Sequence, residues 1–127
     1  MNGTRFFSTS LDSLHHSFEK NRPTIVRIIP FENNSENISP DIKQITFEFS
    51  EPLNGRNTGI DYGPLGEKYF PKISRTDRIW SNDNRTWTIN VSLEPNKHYQ
   101  FVVDNNFRNK EGIPLKPLVV EFKTALR

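Results

Sequence analysis

The side chains of this sequence that could do chemistry are varied in type, but few are arranged to act together. His15 and His16 are adjacent, and neighbouring positions on a helix point about 100° apart, so the pair cannot readily grip one metal ion. His98 stands alone on the wet face of a strand. There is no cysteine, which removes a disulfide framework, a thiolate metal site and a Cys nucleophile together. Serines are plentiful, but none sits in Gly-x-Ser-x-Gly or a comparable activating motif. Glu48 and Glu51, with Asp61 or Asp83, are the acids that could pair for glycoside hydrolysis, which needs two carboxylates held close together beside a sugar-sized cleft. Glu48 reads more simply as an outward strand residue, and Glu51 as a residue shaping the turn before Pro52. The oxygen-rich runs Asn82-Asp83-Asn84 and Asp104-Asn105-Asn106 carry ligands of the type calcium prefers, without EF-hand spacing. Asx-rich turns also form for backbone reasons alone. The sequence reading assigns no catalytic residue, no metal site and no cofactor.

Aromatic side chains are the better candidates for binding, because exposed rings stack on sugar faces and anchor protein contacts. Trp87 is in phase with Ile89 and Val91 and belongs to a core. Trp80 has an ambiguous phase, and Tyr62, Tyr69 and Phe31 could lie near it. These four are the candidate ligand-contact residues.

The bulk properties exclude several classes. Seventeen Lys and Arg oppose 15 Asp and Glu for a net charge of +2, and the basic residues are scattered. With no recognition-helix pattern, phosphate cradle or RNA-stacking motif, nucleic acid is not an expected partner. No stretch is long and apolar enough to insert into a membrane, and Met1 to Lys20 lacks both the basic start and the apolar centre of a signal peptide. Export therefore requires a signal outside these residues. A chain of 127 residues, 33% hydrophobic, is enough for one domain, and ten Phe, three Tyr and two Trp supply much of its apolar area.

The elements that must position these side chains fall into two regions. Residues 1–22 read as a linker or the tail of a preceding domain. In it Phe6, Phe7, Leu11, Leu14 and Phe18 recur at helix-like intervals, and Ser10 or Asp12 could cap a helix over Leu11 to Lys20. From residue 23 to 127 the period changes to two. Thr24 to Ile29 forms a first strand ended by Pro30, and Ile45, Phe47 and Phe49 bury one face of the next. Asn57 to Gly66 carries a poor strand signal, while Tyr69 to Ser74 and Arg78 to Ser81 are better candidates. Asn82 to Arg85 turns into the cleanest strand, with Trp87, Ile89, Val91 and Leu93 on one side. Tyr99, Phe101 and Val103 continue inward with His98 and Gln100 outward, Asp104 to Gly112 forms a loop, and Leu118, Val120 and Phe122 complete a last strand. About seven strands at this spacing predict an all-β sandwich. Leu93-Glu94-Pro95-Asn96-Lys97-His98-Tyr99 reads as a corner in which Leu93 ends a strand, Pro95 and Asn96 turn the chain, and Tyr99 opens the next strand with its hydroxyl free to bond nearby backbone.

Five stretches carry a resemblance. They are Pro23-Thr24-Ile25-Val26 leading to Pro30, Ile45-Thr46-Phe47-Glu48-Phe49-Ser50-Glu51-Pro52-Leu53, the run from Trp80 to Ile89, the Leu93 to Tyr99 corner, and Phe122-Lys123-Thr124. In this order they resemble the bacterial Ig-like domain of the SbsA type, found in S-layer proteins, over about Arg22 to Ala125. The run from Asn105 to Gly112 departs from the shorter Asp-x-x-Gly-type turn common in that family. The corner alone is also similar to fibronectin type III domains. The resemblance implies an Ig-like β-sandwich in a secreted or cell-surface bacterial protein, extracytoplasmic, whose job is to space, orient or dock a neighbouring domain of the same parent chain. The alternative it leaves is a surface module binding glycan or protein through exposed aromatics. It carries over no catalytic residue.

Overall fold

The computed structural model describes residues 21–126. The expected helix over Leu11 to Lys20, together with His15 and His16, lies outside the described residues.

Among the described residues eight strands form where alternation or turn chemistry favours them. They are β1 (Ile25–Ile29), β2 (Gln44–Phe49), β3 (Ile60–Tyr62), β4 (Lys72–Ile73), β5 (Ile79–Trp80), β6 (Thr86–Ser92), β7 (His98–Val103) and β8 (Leu118–Lys123). One sheet runs β1-β2-β6-β4 with β5 also on β6, and the other runs β3-β7-β8, all of these pairs antiparallel. Two sheets hydrophobic on one face must bury those faces against each other. Phe47 of β2 meets Phe101 of β7 edge-on at 6.1 Å between centroids, which is where the sheets join. Ile45, Phe47, Phe49, Trp87, Ile89, Val91, Tyr99, Phe101, Val103, Val120 and Phe122 are all buried, so the period-two readings of β2, β6, β7 and β8 hold. On the outer face Thr46 and Thr88, opposite each other in register, share a 2.8 Å hydrogen bond.

The weakly patterned middle of the chain differs from expectation. The strand expected over Tyr69 to Ser74 is only β4, because Glu67–Tyr69 closes a single 3-10 turn and Pro71 has no N–H to give a ladder. The segment with the poor signal holds β3, whose three residues are specified mainly by pairing with β7. Gln100, expected on the wet face, is only 5% exposed, since Gly63 and Leu65 lie across it. The loop from Asp104 to Gly112 contributes Phe107 to the core, against Trp87 at 4.9 Å. It is ordered around Asn109, whose Oδ1 accepts from the N–H groups of Glu111 and Ile113.

After Ile29 the chain leaves the first sheet and crosses to the second. There Asn34 donates to the Glu121 carbonyl, Lys123 to Ser35, and Ile38 to Lys123. Asn33 fixes the crossing, its Nδ2 donating to the Val119 carbonyl and its Oδ1 accepting from the Glu121 N–H.

Candidate functional site

The acids singled out by sequence are not gathered. Glu48 faces Arg27 across β1 and β2, with Arg27 Nη2 2.7 Å from its carboxylate. Glu51 accepts from Asn109 Nδ2 at 3.2 Å. Asp83 accepts from Ser81 Oγ and from the Arg85 N–H, and these hydrogen bonds hold its carboxyl below the ordinary range. Asp61 lies instead beside Asp104. Partial burial, then the neighbouring Asp61 carboxyl, push Asp104 up, against an opposing bond from the Asn106 N–H. The two Asx-rich runs thus satisfy their own turns. Among the described residues no group of three or more His, Cys, Asp or Glu could hold a metal ion.

His98 belongs to a polar network on the outer face of the second sheet. Its Nε2 is 2.6 Å from Glu121 Oε2, Gln100 Nε2 donates to Glu121 Oε1 at 3.0 Å, and Gln100 Oε1 accepts from the Leu65 N–H at 2.8 Å. The bonds from His98, then Gln100, hold the Glu121 carboxyl below its usual value. A Cβ on Gly63 would sit 2.4 Å from Gln100 Oε1, so this close crossing needs glycine. The arrangement pins the segment after β3 over the sheet.

The four candidate aromatics go to separate places. Phe31 is 8% exposed and packs on Phe122 at 4.7 Å. Trp80 packs on Phe49, Trp87 and Phe107. Tyr62 is 54% exposed and edge-on to Phe70, while Tyr69 is edge-on to the His98 ring. Tyr62 opposes Phe101 in register and therefore shares its face of the sheet, whereas Tyr69 meets the opposite face through His98. No two of the four are in ring contact with each other.

At the corner, the buried Tyr99 hydroxyl accepts from the Glu94 N–H at 2.8 Å. Thr124 closes the same corner from β8, its Oγ1 donating to the Glu94 carbonyl at 2.6 Å and accepting from the Lys97 N–H at 2.9 Å.

Among the described residues the most voluminous of several concavities is largely apolar. Along β1 and the segment that passes from it to β8 runs an open groove of about 630 Å³, lined by residues 25–33 and Leu118. Among the described residues β1 is an edge strand, paired only with β2. The pairing slips between Ile25 and Arg27, a bulge that breaks the alternation at Val26. Val26 is 57% exposed, and Ile29, opposite the outward-facing Thr46, is 39% exposed. The sequence signal is the apolar run Ile25-Val26-Arg27-Ile28-Ile29 within the strand expected over Thr24 to Ile29, a run that does not alternate.

Two packed antiparallel sheets, a crossing from the first edge to the second and a tyrosine-closed corner define an immunoglobulin-like sandwich. A model of the bacterial Ig-like domain matches residues 19–124, and the chain belongs to that family. Among solved structures it is similar to the S-layer protein rSbsC(31-844), at 16% identity and a TM-score of 0.51, covering 95% of this chain and 16% of that one. It is also similar to PcoC, a methionine-rich copper resistance protein from Escherichia coli, at 16% identity and a TM-score of 0.56, covering 81% of this chain and 98% of that one. CopC from Methylosinus trichosporium OB3b is similar at 14% identity and a TM-score of 0.55, with 82% and 94% covered. These likenesses concern the fold. No curated protein matches.

Proposed function

We propose that the chain is a non-catalytic module of a larger exported bacterial protein that docks and orients a neighbouring domain. The observation that carries this reading is the open apolar groove along β1, beside the point where the chain enters the sandwich. Side chains such as Val26 and Ile29 gain by being covered, and a face of this kind is what a domain–domain contact within one chain uses. Three of the acids that could act catalytically are engaged in separate interactions, Glu48 with Arg27, Glu51 with Asn109 and Asp83 with Ser81. Membership of the bacterial Ig-like family and the likeness to an S-layer protein support a place outside the cytoplasm, reached through a signal beyond these residues. Among the described residues no helix is long and apolar enough to cross a membrane.

Binding of glycan by the four aromatics has less support, because their rings do not form one platform. Copper binding is not favoured either. The chain has one Met and three His, and His98 is engaged with Glu121.

The test is made in the parent protein containing this module and its neighbour. Val26→Asp places a charge in the groove, and small-angle scattering reads the domain arrangement. A broader distribution of interdomain distances is expected. An unchanged distribution with an intact fold would refute docking through this groove.

A further inference from the structure

Between β3 and β4 the chain passes from the second sheet to the first along residues 63–71, a strap held by few contacts. Among the described residues its backbone hydrogen bonds are internal, from the Gly66 N–H to the Gly63 carbonyl, from Tyr69 to Gly66 and from Phe70 to Glu67. Pro64, Leu65, Glu67 and Lys68 are exposed, and the 3-10 turn at Glu67–Tyr69 buries no residue. Two side chains of β7 tie the strap to the sheet. Gln100 Oε1 accepts from the Leu65 N–H at 2.8 Å, and the His98 ring meets the Tyr69 ring edge-on at 5.1 Å. Both side chains are set by one carboxylate of β8. Glu121, opposite Gln100 in register, takes Gln100 Nε2 on Oε1 at 3.0 Å and His98 Nε2 on Oε2 at 2.6 Å. Because Glu121 occupies the amino end of the Gln100 amide, the oxygen end is turned to Leu65.

A carboxyl that has taken a proton offers a donor on one oxygen and is a weaker acceptor at the other, so it no longer holds both side chains. The strap has little buried apolar surface to keep it in place, and segments of that kind open locally at a fraction of the global cost. Gly66, at φ +90 with nothing packed where a Cβ would stand, supplies a hinge.

We propose that residues 63–69 form a strap latched by Glu121: the ionised carboxylate holds the strap on the sheet, and a proton on it releases the strap and bares Gln100 while the two sheets stay packed. The groups facing Glu121 set the direction. His98 of β7 and Lys123 of its own strand are the basic neighbours, Glu36 of the crossing segment lies 3.6 Å from Lys123, and Tyr69 of the strap reaches it through the His98 ring. The bonds from His98, then Gln100, favour the ionised form, and the charges of His98 and Lys123 act in the same direction against the cost of burial. The latch is therefore closed at neutral pH and opens as pH falls below the ordinary 4.5.

Nuclear magnetic resonance of the 127-residue protein reads the latch directly. As pH is lowered through the folded Glu121 value, the Leu65 amide resonance should move to its unstructured position and the Tyr69 ring signals should lose their displacement by the His98 ring. The amide signals of Ile45 and Ile89, in the core of the first sheet, should stay in place. Glu121→Gln, which does not ionise, should show the released positions already at neutral pH and no further change in acid. Glu48→Gln, which breaks the ion pair with Arg27 on the other sheet, should titrate like the parent. A Leu65 signal that does not move, that moves only together with those of Ile45 and Ile89, or that follows the same course in Glu121→Gln would overturn the proposal.

Discussion

Replacing Tyr99 with Phe deletes one oxygen from the corner and leaves the ring where it is. The ring packs on Phe122 at 5.4 Å and lies 5.4 Å from the Lys97 ammonium, and neither contact needs the hydroxyl. What is lost is the 2.8 Å bond from the Glu94 N–H. A net hydrogen bond is worth about 0.5–1.5 kcal/mol, and a donor left without a partner in a buried place costs about 1–3. Glu94 itself is exposed, so its N–H can recover part of this from water, which puts the loss near ~1 kcal/mol. For a domain of just over 100 residues that lowers the Tm by about 4 °C. Urea denaturation of the variant and the parent should give the same slope and a lower midpoint. Thr124→Val removes a donor to the Glu94 carbonyl and an acceptor for the Lys97 N–H in the same corner. The two substitutions should therefore be non-additive in a double-mutant cycle. A Tyr99→Phe variant as stable as the parent, or strict additivity with Thr124→Val, would refute the argument that this hydroxyl closes the corner.

Phe107→Ala should be among the most damaging substitutions, at about 3–5 kcal/mol, because it opens a cavity beneath Trp87, Trp80 and Phe49; urea midpoints and a change in tryptophan emission check it. Glu121 gives the acid limb a defined sign. Its folded pKa lies below the ordinary 4.5, so the stability it supplies is full above that value and is lost as pH falls through the folded pKa. Denaturation midpoints measured across this range should fall with acid in the parent and fall less in Glu121→Gln; parallel pH profiles would count against the His98 and Gln100 bonds as the cause.

Local pattern was enough for the parts of the fold whose signal is local. The alternation in β2, β6, β7 and β8 put Phe47, Trp87, Phe101 and Phe122 inside, since side chains on a strand point to opposite faces in turn and only one face can be buried cheaply. The corner was also legible, because Pro95 and Asn96 dictate a turn and Tyr99 follows at the distance its hydroxyl needs. Other features depended on segments far apart in sequence, and no periodicity carries those. Gln100 sits on the polar side of β7 and is buried only because Leu65 reaches it. Phe107 looked like a loop residue until the loop folded over Trp87. Phe31, Trp80, Tyr62 and Tyr69 could have met on one surface, and it is the crossing of the chain between sheets and the strand pairing that send them apart. The groove has the same origin. The run from Ile25 to Ile29 declares itself apolar in the sequence, but that one side of it stays uncovered follows from where β1 leaves β2 and where the chain joins β8.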